Sequence, residues 1–380
     1  MKLLVICEAK FDMKTNGTVH LAMKEILKQY QNFFDEVHCL CPGETKQIGV
    51  LSDFGVIFHT VDYYRGSKLN KLSSLFKGDK NFIKQIVKQY DIDVIQYRIP
   101  SFFGLGLYNC CRSIGAVKTT YIAGDMYESL INNFKRIPFV KLFARFSEFL
   151  QNKLIRNSIV ISTGDVLARK YNYLNPNIHA YYSTTHNDIV SNANTEIGNI
   201  LKIVFLGRID EAKRLVDLID ATKYLNENSI DFFVNIIGDG PSLQSIKELV
   251  TLHGISAKFK FHGYVSDRKT IDDILCNSQV IVLPSVTEGT AKVLPEAMSR
   301  GVIPIAVNGV GSNNYIIKDG ENGYLFDKYD SKGLAEIFVK ILKSNNNYLT
   351  MRSNCYNYAE DRTASKEIRK MWEFVFNNIK

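Results

Sequence analysis

The sequence contains no run of about 20 apolar residues, the length a helix needs to cross a bilayer, so no transmembrane span is expected. The apolar start, Met1 to Cys7, is too short for a secretory signal and runs directly into acidic Glu8. It reads as a first buried strand. No internal repeat and no low-complexity stretch occurs. The seven cysteines, Cys7, Cys39, Cys41, Cys110, Cys111, Cys276 and Cys355, are odd in number and scattered. The close pairs 39/41 and 110/111 lack a second half at zinc-like spacing, which argues against a zinc ribbon and a disulfide framework. Such thiols read as small buried residues in a reducing cytoplasm.

Two phosphate-binding signatures are also missing. Neither Gly-x-Gly-x-x-Gly after the first strand nor a Gly-Lys-Ser/Thr loop is present. The seven histidines are dispersed, and His20, His186 and His262 read as structural. Asp91-Ile-Asp93 has the spacing of a metal-binding acid pair but precedes its strand, so it reads as a surface turn. No metal site is expected.

Charge is placed unevenly. Residues 1–190 carry 24 Lys and Arg against 16 Asp and Glu, while residues 191–380 carry 23 of each, so the net +8 belongs to the first half. It gathers at 63–90, with Arg65, Lys68, Lys71, Lys77, Lys80, Lys84 and Lys88 against Asp79, and at 135–156, with six basic residues against Glu148. Such patches attract anionic surfaces. No nucleic-acid recognition motif accompanies them, so nucleic acid is not an expected partner. An anionic membrane is one candidate partner, and a solvated Lys-rich face is the plain alternative.

Strand-like runs at 3–6, 37–40, 56–58, 94–97 and 119–122 alternate with helix-like segments at 24–31 and 82–90. Phe139, Leu142, Phe143, Phe146, Phe149, Leu150 and Leu154 recur at helical spacing and mark a long helix whose apolar stripe is expected to face the core, a membrane-dipping face being the minority reading. The polar stretch 191–198 reads as a linker. Strands at 203–206, 232–237, 259–262, 280–283 and 303–307 follow, with helices at 214–224, 242–253, 267–276 and 294–300 between them. Two such series predict two Rossmann-like, doubly wound α/β domains with a ligand cleft between them. The expected division is a first domain at 1–190, a linker at 191–199, a second domain at 200–362, and a last helix within 363–380 that packs back on the first domain.

The chemistry concentrates in Ser285-Val-Thr-Glu-Gly-Thr-Ala-Lys-Val-Leu-Pro-Glu-Ala-Met-Ser-Arg-Gly301. Glu288 lies in a Gly-containing loop after an apolar strand, and Glu296 stands about two turns into the next helix. Free N–H groups and the dipole at a helix start favour an anion, and carboxylates accept hydrogen bonds from sugar hydroxyls. Three more loops leave the same sheet edge. Leu206-Gly-Arg-Ile-Asp-Glu-Ala-Lys213 offers Arg208 and Lys213 to a pyrophosphate. The other two are Ile237-Gly-Asp-Gly-Pro241 and Phe261-His-Gly-Tyr-Val265.

In order, these residues resemble the second domain of the GT4-like retaining glycosyltransferases of the GT-B fold (glycosyl transferases group 1). The matching features are the Gly-Arg turn with Lys five residues after the Arg, Gly-Asp-Gly-Pro, Gly-x-Val, and Glu-x7-Glu with Glu-Ala-Met. Gly309-Val-Gly311 and Asp319-Gly-Glu-Asn-Gly-Tyr-Leu325 fit the stretch that follows. The likeness is strong over about 200–330 and looser before it. There, Asn16-Gly17-Thr18 resembles the family's first loop with one Gly in place of two. Tyr97-Arg-Ile-Pro-Ser101 and Gly124-Asp-Met-Tyr-Glu128 resemble a subset that builds bacterial surface polysaccharides. Where many relatives have a His, this chain has Gly124 followed by Asp125.

The resemblance implies a cytoplasmic, metal-independent hexosyltransferase, with a peripheral place on the inner face of the plasma membrane as one expectation. It would move a sugar from a UDP- or GDP-linked donor to a glycan or lipid-linked acceptor, with retention and no cofactor. Arg208 and Lys213 would neutralise the leaving diphosphate, helped by the N–H groups of Thr290, Ala291, Lys292 and Val293. Glu288 would contact the transferred sugar and Glu296 the ribose. Gly17, Gly207, Gly238, Gly240, Val265 and Gly289 would complete the donor site. Asn16, Thr18, Arg98 and Asp125 would line the acceptor side, with Asp125 a candidate catalytic group and, equally, a plain loop cap. A nucleotide-sugar epimerase of the same fold and a non-catalytic nucleotide-binding partner remain rival readings.

Overall fold

The computed structural model describes residues 1–8, 21–43, 45–62, 80–111, 114–133, 139–190 and 197–379. They form two compact units, Met1–Tyr181 with Ile368–Lys380, and Tyr182–Glu367. Asn16, Gly17, Thr18 and His20, most of the 191–198 linker, and Arg65, Lys68, Lys71 and Lys77 lie outside the described residues. The division falls after Tyr181 and not at 190, because segment 182–190 is bonded into the second unit. Val190 N–H donates to the Ser299 carbonyl at 3.0 Å, and Ala364 N–H donates to that of His186 at 2.9 Å.

The first unit holds β1 (Lys2–Ile6), β2 (Glu36–Gly43), β3 (Gln47–Leu51), β4 (Ile57–Asp62), β5 (Val94–Ile99), β6 (Val117–Ile122), β7 (Ile159–Thr163) and β8 (Ile178–Tyr181). Their order in the sheet is 3-4-2-1-5-6-7-8. Every neighbouring pair is parallel except β3 with β4. Its helices are α1 (Leu21–Tyr30), α2 (Lys80–Tyr90), α3 (Phe102–Cys111), α4 (Met126–Asn133), α5 (Val140–Arg156) and α6 (Gly164–Tyr171).

A parallel sheet is covered on both faces, so its strands read as continuous apolar runs. β1 shows why. Leu4 and Ile6 enter one core with Phe82, Ile86 and Phe103. Leu3 and Val5 enter the other with Leu27, Phe34 and Trp372. From Ile368 on, the last helix belongs to this second layer. Trp372 is fully buried there, edge-on to Tyr30 at 5.0 Å and Phe34 at 4.7 Å between centroids.

The aromatic stripe of α5 divides between two environments, which corrects its assignment to the core. Ala144, Ser147, Leu150, Gln151 and Leu154 are buried, and Phe143 packs on Phe102 at 5.6 Å. Phe139, Leu142, Phe146 and Phe149 are exposed. Periodicity defines a stripe; which side of it meets the sheet depends on the packing of the whole unit.

The second unit is a six-stranded parallel sheet of β9 (Leu201–Leu206), β10 (Phe232–Ile237), β11 (Phe259–Gly263), β12 (Val280–Leu283), β13 (Ile303–Val307) and β14 (Tyr324–Phe326), in the order 11-10-9-12-13-14. Its helices are α7 (Leu215–Glu227), α8 (Leu243–Leu252), α9 (Arg268–Cys276), α10 (Val293–Met298), α11 (Asn313–Ile316), α12 (Ser331–Leu342), α13 (Asn345–Asp361) and the first residues of α14 (Ala364–Asn377). Side-chain caps fix three helix starts: Asp267 accepts from Thr270 N–H, Asp330 from Gly333 N–H, and Ser344 from Asn347 N–H. The order of connection reverses between β9 and β12, the switch point where such sheets hold ligands beyond their carboxyl ends. Among the described residues no helix is long and apolar enough to cross a membrane.

Candidate functional site

The loops after β9, β10, β11 and β12 meet at the carboxyl edge of the second unit, and backbone bonds fix them to one another. Gly207 N–H donates to the Ile237 carbonyl at 3.0 Å and Ile209 N–H to that of Asp239 at 2.9 Å. Gly238 N–H donates to the Gly263 carbonyl at 2.8 Å, and Val286 N–H to that of Ala212 at 3.0 Å. This proximity explains the Gly-Asp-Gly turn. A Cβ on Gly238 would lie 1.8 Å from the Gly207 carbonyl oxygen, and one on Gly240 would lie 2.2 Å from that of Ile209. Both glycines let two backbones touch, which holds the edge in shape. Val265 follows in the next loop, beside a Tyr264 that is 80% exposed.

Lys213 ends a short turn, Glu211–Lys213, and its Nζ pairs with Oε1 of Glu288. The bond joins the loops on the two sides of the switch point. Arg208 is not part of it. Its side chain is 71% exposed and reaches Asp210 of its own loop at 3.4 Å. Gly289 has open space where a Cβ would stand, and its carbonyl accepts from Ser312 N–H at 3.1 Å. Ala291 is buried, and Lys292 precedes the first residue of α10, Val293. Around these loops Asp210 Oδ1, Ser285 Oγ, Thr290 Oγ1 and Ser312 Oγ are buried with no hydrogen-bond partner among the described residues. One such atom costs about 1–3 kcal/mol, so four at one edge are a local concentration of polar groups whose bonds the described residues do not supply.

Glu296 is buried on α10, and both of its oxygens are engaged. Oε1 accepts from Arg268 and Oε2 from the Thr185 hydroxyl at 2.8 Å. Arg268 also clasps Asp272 through Nε and Nη2, at 3.1 and 2.8 Å. Asp272 accepts from Arg300 Nε at 3.0 Å, and Arg300 forks onto Asp188 at 3.1 and 3.2 Å. Burial opposes the charge on Arg268, but Glu296 and Asp272 outweigh it and hold the guanidinium above its ordinary pKa. Each carboxylate oxygen has a second acceptor direction, so Glu296 can still receive hydroxyls.

Thr185, Arg268, Asp272 and Asp188 escaped the sequence reading, because they sit far along the chain from Glu296 and carry no motif of their own; Arg300, four residues after Glu296, lies within the Ser285–Gly301 stretch but was not singled out. The one available signal is Asp267, an N-cap residue that places Arg268 at a helix start.

In the first unit Asp125 caps α4. Its Oδ1 accepts from Glu128 N–H at 2.8 Å and its Oδ2 pairs with Lys170. Arg98 stands on β5 with its guanidinium 4.1 Å above the Tyr121 ring, and its Nη1 is buried with no hydrogen-bond partner among the described residues. Asn16, Gly17 and Thr18 are outside the described residues. His186 is fully buried, bonded to Thr184 Oγ1 at 2.6 Å and the Ala359 carbonyl at 2.8 Å, and His262 bonds Asn235 at 2.9 Å. A hollow of about 370 Å³ between Lys202, Gln279 and Arg352 lies at the opposite, amino-terminal edge of the sheet, away from these loops.

Two doubly wound units with this edge chemistry define a GT-B protein. The structure aligns along its whole length with lipopolysaccharide outer core galactosyltransferase WaaB in its apo form, covering 100% of both chains at 15% identity and TM-score 0.70. It aligns likewise with Anabaena Alr3699/HepE in complex with UDP, at 17% identity and TM-score 0.70. Within that fold, residues 189–362 match the model for glycosyl transferases group 1, and the chain carries that family's domain.

Protein CapJ of Staphylococcus aureus is 25% identical over 293 residues, 76% of this chain and 72% of CapJ. UDP-Gal:alpha-D-GlcNAc-diphosphoundecaprenol alpha-1,3-galactosyltransferase of Escherichia coli is 29% identical over 163 residues, 42% of this chain and 41% of that protein. The match to N-acetyl-alpha-D-glucosaminyl L-malate synthase of Bacillus anthracis also spans less than half of that protein, 45%.

Proposed function

We propose that the protein transfers a hexose from a nucleotide-sugar donor, UDP- or GDP-linked, to a glycan or lipid-linked acceptor in the synthesis of a bacterial surface polysaccharide. The observation that carries this reading is the Lys213–Glu288 pair bridging the switch point, with the unpaired hydroxyls of Ser285, Thr290 and Ser312 around it. The family domain over residues 189–362 and the named transferase activities of the relatives support it.

In this reading the donor's diphosphate lies against Lys213 and Arg208. Glu288 holds the Lys213 ammonium in place before the donor arrives, so no side chain has to reorganise when negative charge grows on the leaving phosphate. The same carboxylate then faces the hydroxyls of the transferred sugar and the positive charge near its anomeric carbon. The two cations supply the neutralisation that a metal ion gives in other transferases, so no metal is required. Glu296, aligned by Arg268 and Thr185, receives the ribose hydroxyls. Transfer proceeds with retention, the leaving phosphate oxygen taking the acceptor's proton, so no enzymic nucleophile takes part. Arg98 and Asp125 belong to the acceptor side. The enzyme works at an anionic membrane face where a lipid-linked acceptor resides, and the basic first half supports that placement.

A thermal-shift screen of UDP, GDP, ADP and CMP tests the donor site, because a ligand that binds only the native state raises its melting temperature. One nucleoside diphosphate raising it, with the effect lost in Glu296→Ala and Arg208→Ala, is the expected result. No shift with any of them would remove this reading. Donor turnover without an acceptor would replace it with the epimerase.

A further inference from the structure

The strongest surface feature that the donor and acceptor chemistry leaves unused is the outer face of α5. Phe139 is 83% exposed, Leu142 70%, Phe149 52% and Phe146 41%. Residues 142, 146 and 149 fall at i, i+4 and i+7, so they form one continuous strip along the helix. The opposite face is buried, from Ala144 to Ile155, so the strip sits on a fixed element. Exposed apolar patches of this kind mark interaction surfaces.

The surrounding charge selects the partner. Lys141, Arg145, Lys153 and Arg156 share the helix with one acid, Glu148. Lys141, Arg145 and Arg156 form no ion pair among the described residues. Lys153 lays its ammonium 4.5 Å over the Phe149 ring. A rigid apolar strip bordered by unneutralised cations fits an anionic lipid surface, where the apolar side chains enter the acyl boundary and the cations meet phosphate headgroups.

We propose that α5 is the element that docks this protein on an anionic membrane, with Phe139, Leu142 and Phe149 dipping below the headgroups and Lys141, Arg145 and Arg156 contacting them. The proposal rests on the membrane placement given under Proposed function and assigns its principal contact to α5. It also gives the acceptor chemistry a geometry. A lipid-linked acceptor would reach the protein through the plane in which α5 lies.

The test is flotation of the full chain with vesicles of phosphatidylcholine alone and of phosphatidylcholine with phosphatidylglycerol. The wild-type chain is expected to float with the anionic vesicles and stay behind with the neutral ones. Leu142→Ser/Phe149→Ser and Lys141→Glu/Arg145→Glu are each expected to lower binding about tenfold or more, given about fivefold for each cation at such a surface. Both pairs are exposed, so circular dichroism and melting temperature should match wild type. Lys84→Glu/Lys88→Glu should lower binding less than either pair.

Wild-type flotation that survives both α5 double variants would overturn the α5 assignment and leave the membrane reading standing. No wild-type flotation would overturn both. A chain that sediments as a dimer, and as a monomer after Leu142→Ser/Phe149→Ser, would assign the strip to a second copy and overturn the lipid assignment. Donor binding by thermal shift is independent of every one of these outcomes.

Discussion

The ammonium of Lys213 meets Oε1 of Glu288 across the point where the strand order of the second sheet reverses. Each residue holds the other, so the two do not act independently. Lys213→Ala removes the cation proposed to face the diphosphate and frees Glu288 to move. Transfer, as kcat/KM, should fall by roughly 10²–10³, the loss typical of one preorganised charge-stabilising donor. Glu288→Gln should fall by a similar factor, and the double variant by far less than the product of the two. A double-mutant cycle in a transfer assay measures this, and additive losses would show that the pair does not function as a unit.

The two kinds of glycine at the site should behave in opposite ways. Gly238→Ala would drive a methyl into the Gly207 carbonyl at 1.8 Å, with φ at +142°, so it should destabilise the second unit by at least about 3 kcal/mol. Gly289 has open space around it. Gly289→Ala should leave stability within about 0.5 kcal/mol while weakening donor binding. Urea unfolding and nucleotide titration of both variants separate framework from contact surface.

Arg268 is a positioning residue for Glu296. Its replacement by Ala leaves a buried carboxylate held, among the described residues, by Thr185 alone. The KM for the donor should rise about tenfold with kcat within a factor of about two, the pattern of lost ground-state binding. Arg268→Lys should recover part of the loss, because one charge remains without the bidentate clasp on Asp272. Equal loss in the Lys and Ala variants would count against an electrostatic role.

Stability should fall on mild acidification. In the first unit His38 and His59 are fully buried and hydrogen-bonded ring to ring at 3.0 Å. Gly49 N–H donates to His59 Nδ1 and His38 Nε2 bonds Glu36, so the relay is satisfied with both rings neutral. Burial lowers the pKa of both, that of His59 to about 3. Burial also lowers His186 in the second unit. In the unfolded chain these rings protonate near 6.5. Their contribution is therefore complete above that pH. It is lost as pH falls from 6.5 toward the lowered folded values, at about 1.4 kcal/mol per pH unit for each ring that stays neutral in the fold. Denaturant midpoints on either side of pH 6.5 read this, and His59→Gln should flatten the dependence of the first unit.

The gathering of four loops at one edge of the second sheet was legible in the sequence because the residues that carry it lie in short contiguous segments. Glu288 and Glu296 are eight residues apart, and Gly207, Arg208 and Lys213 share one turn. The apolar strands that lead to these loops were legible for the same reason, since a strand buried on both faces carries an uninterrupted apolar run. β3 was not, because it is a half-buried edge strand with a mixed pattern. The partners of Glu296 were not legible either. Thr185 lies 111 positions away and Arg268 lies 28, and neither separation carries a spacing rule. The stripe on α5 was legible as a helix but not as a surface, since residues 139–154 have the same periodicity whichever face the sheet covers.

The chain has a single tryptophan, and its ring is closed inside the first unit between Tyr30 and Phe34. Tryptophan fluorescence, excited on the red edge where tyrosine does not absorb, is consequently an optical channel for that unit alone. Calorimetry records the melting of both units, and a nucleotide held at the second unit acts on the other half of the signal. Running the two methods side by side with and without a nucleoside diphosphate separates two cases. If only the calorimetric transition moves, the units melt as independent bodies. If the tryptophan transition moves with it, ligand binding in one unit is felt as stability in the other. The protein therefore carries its own reporter of communication between its halves, with no label introduced.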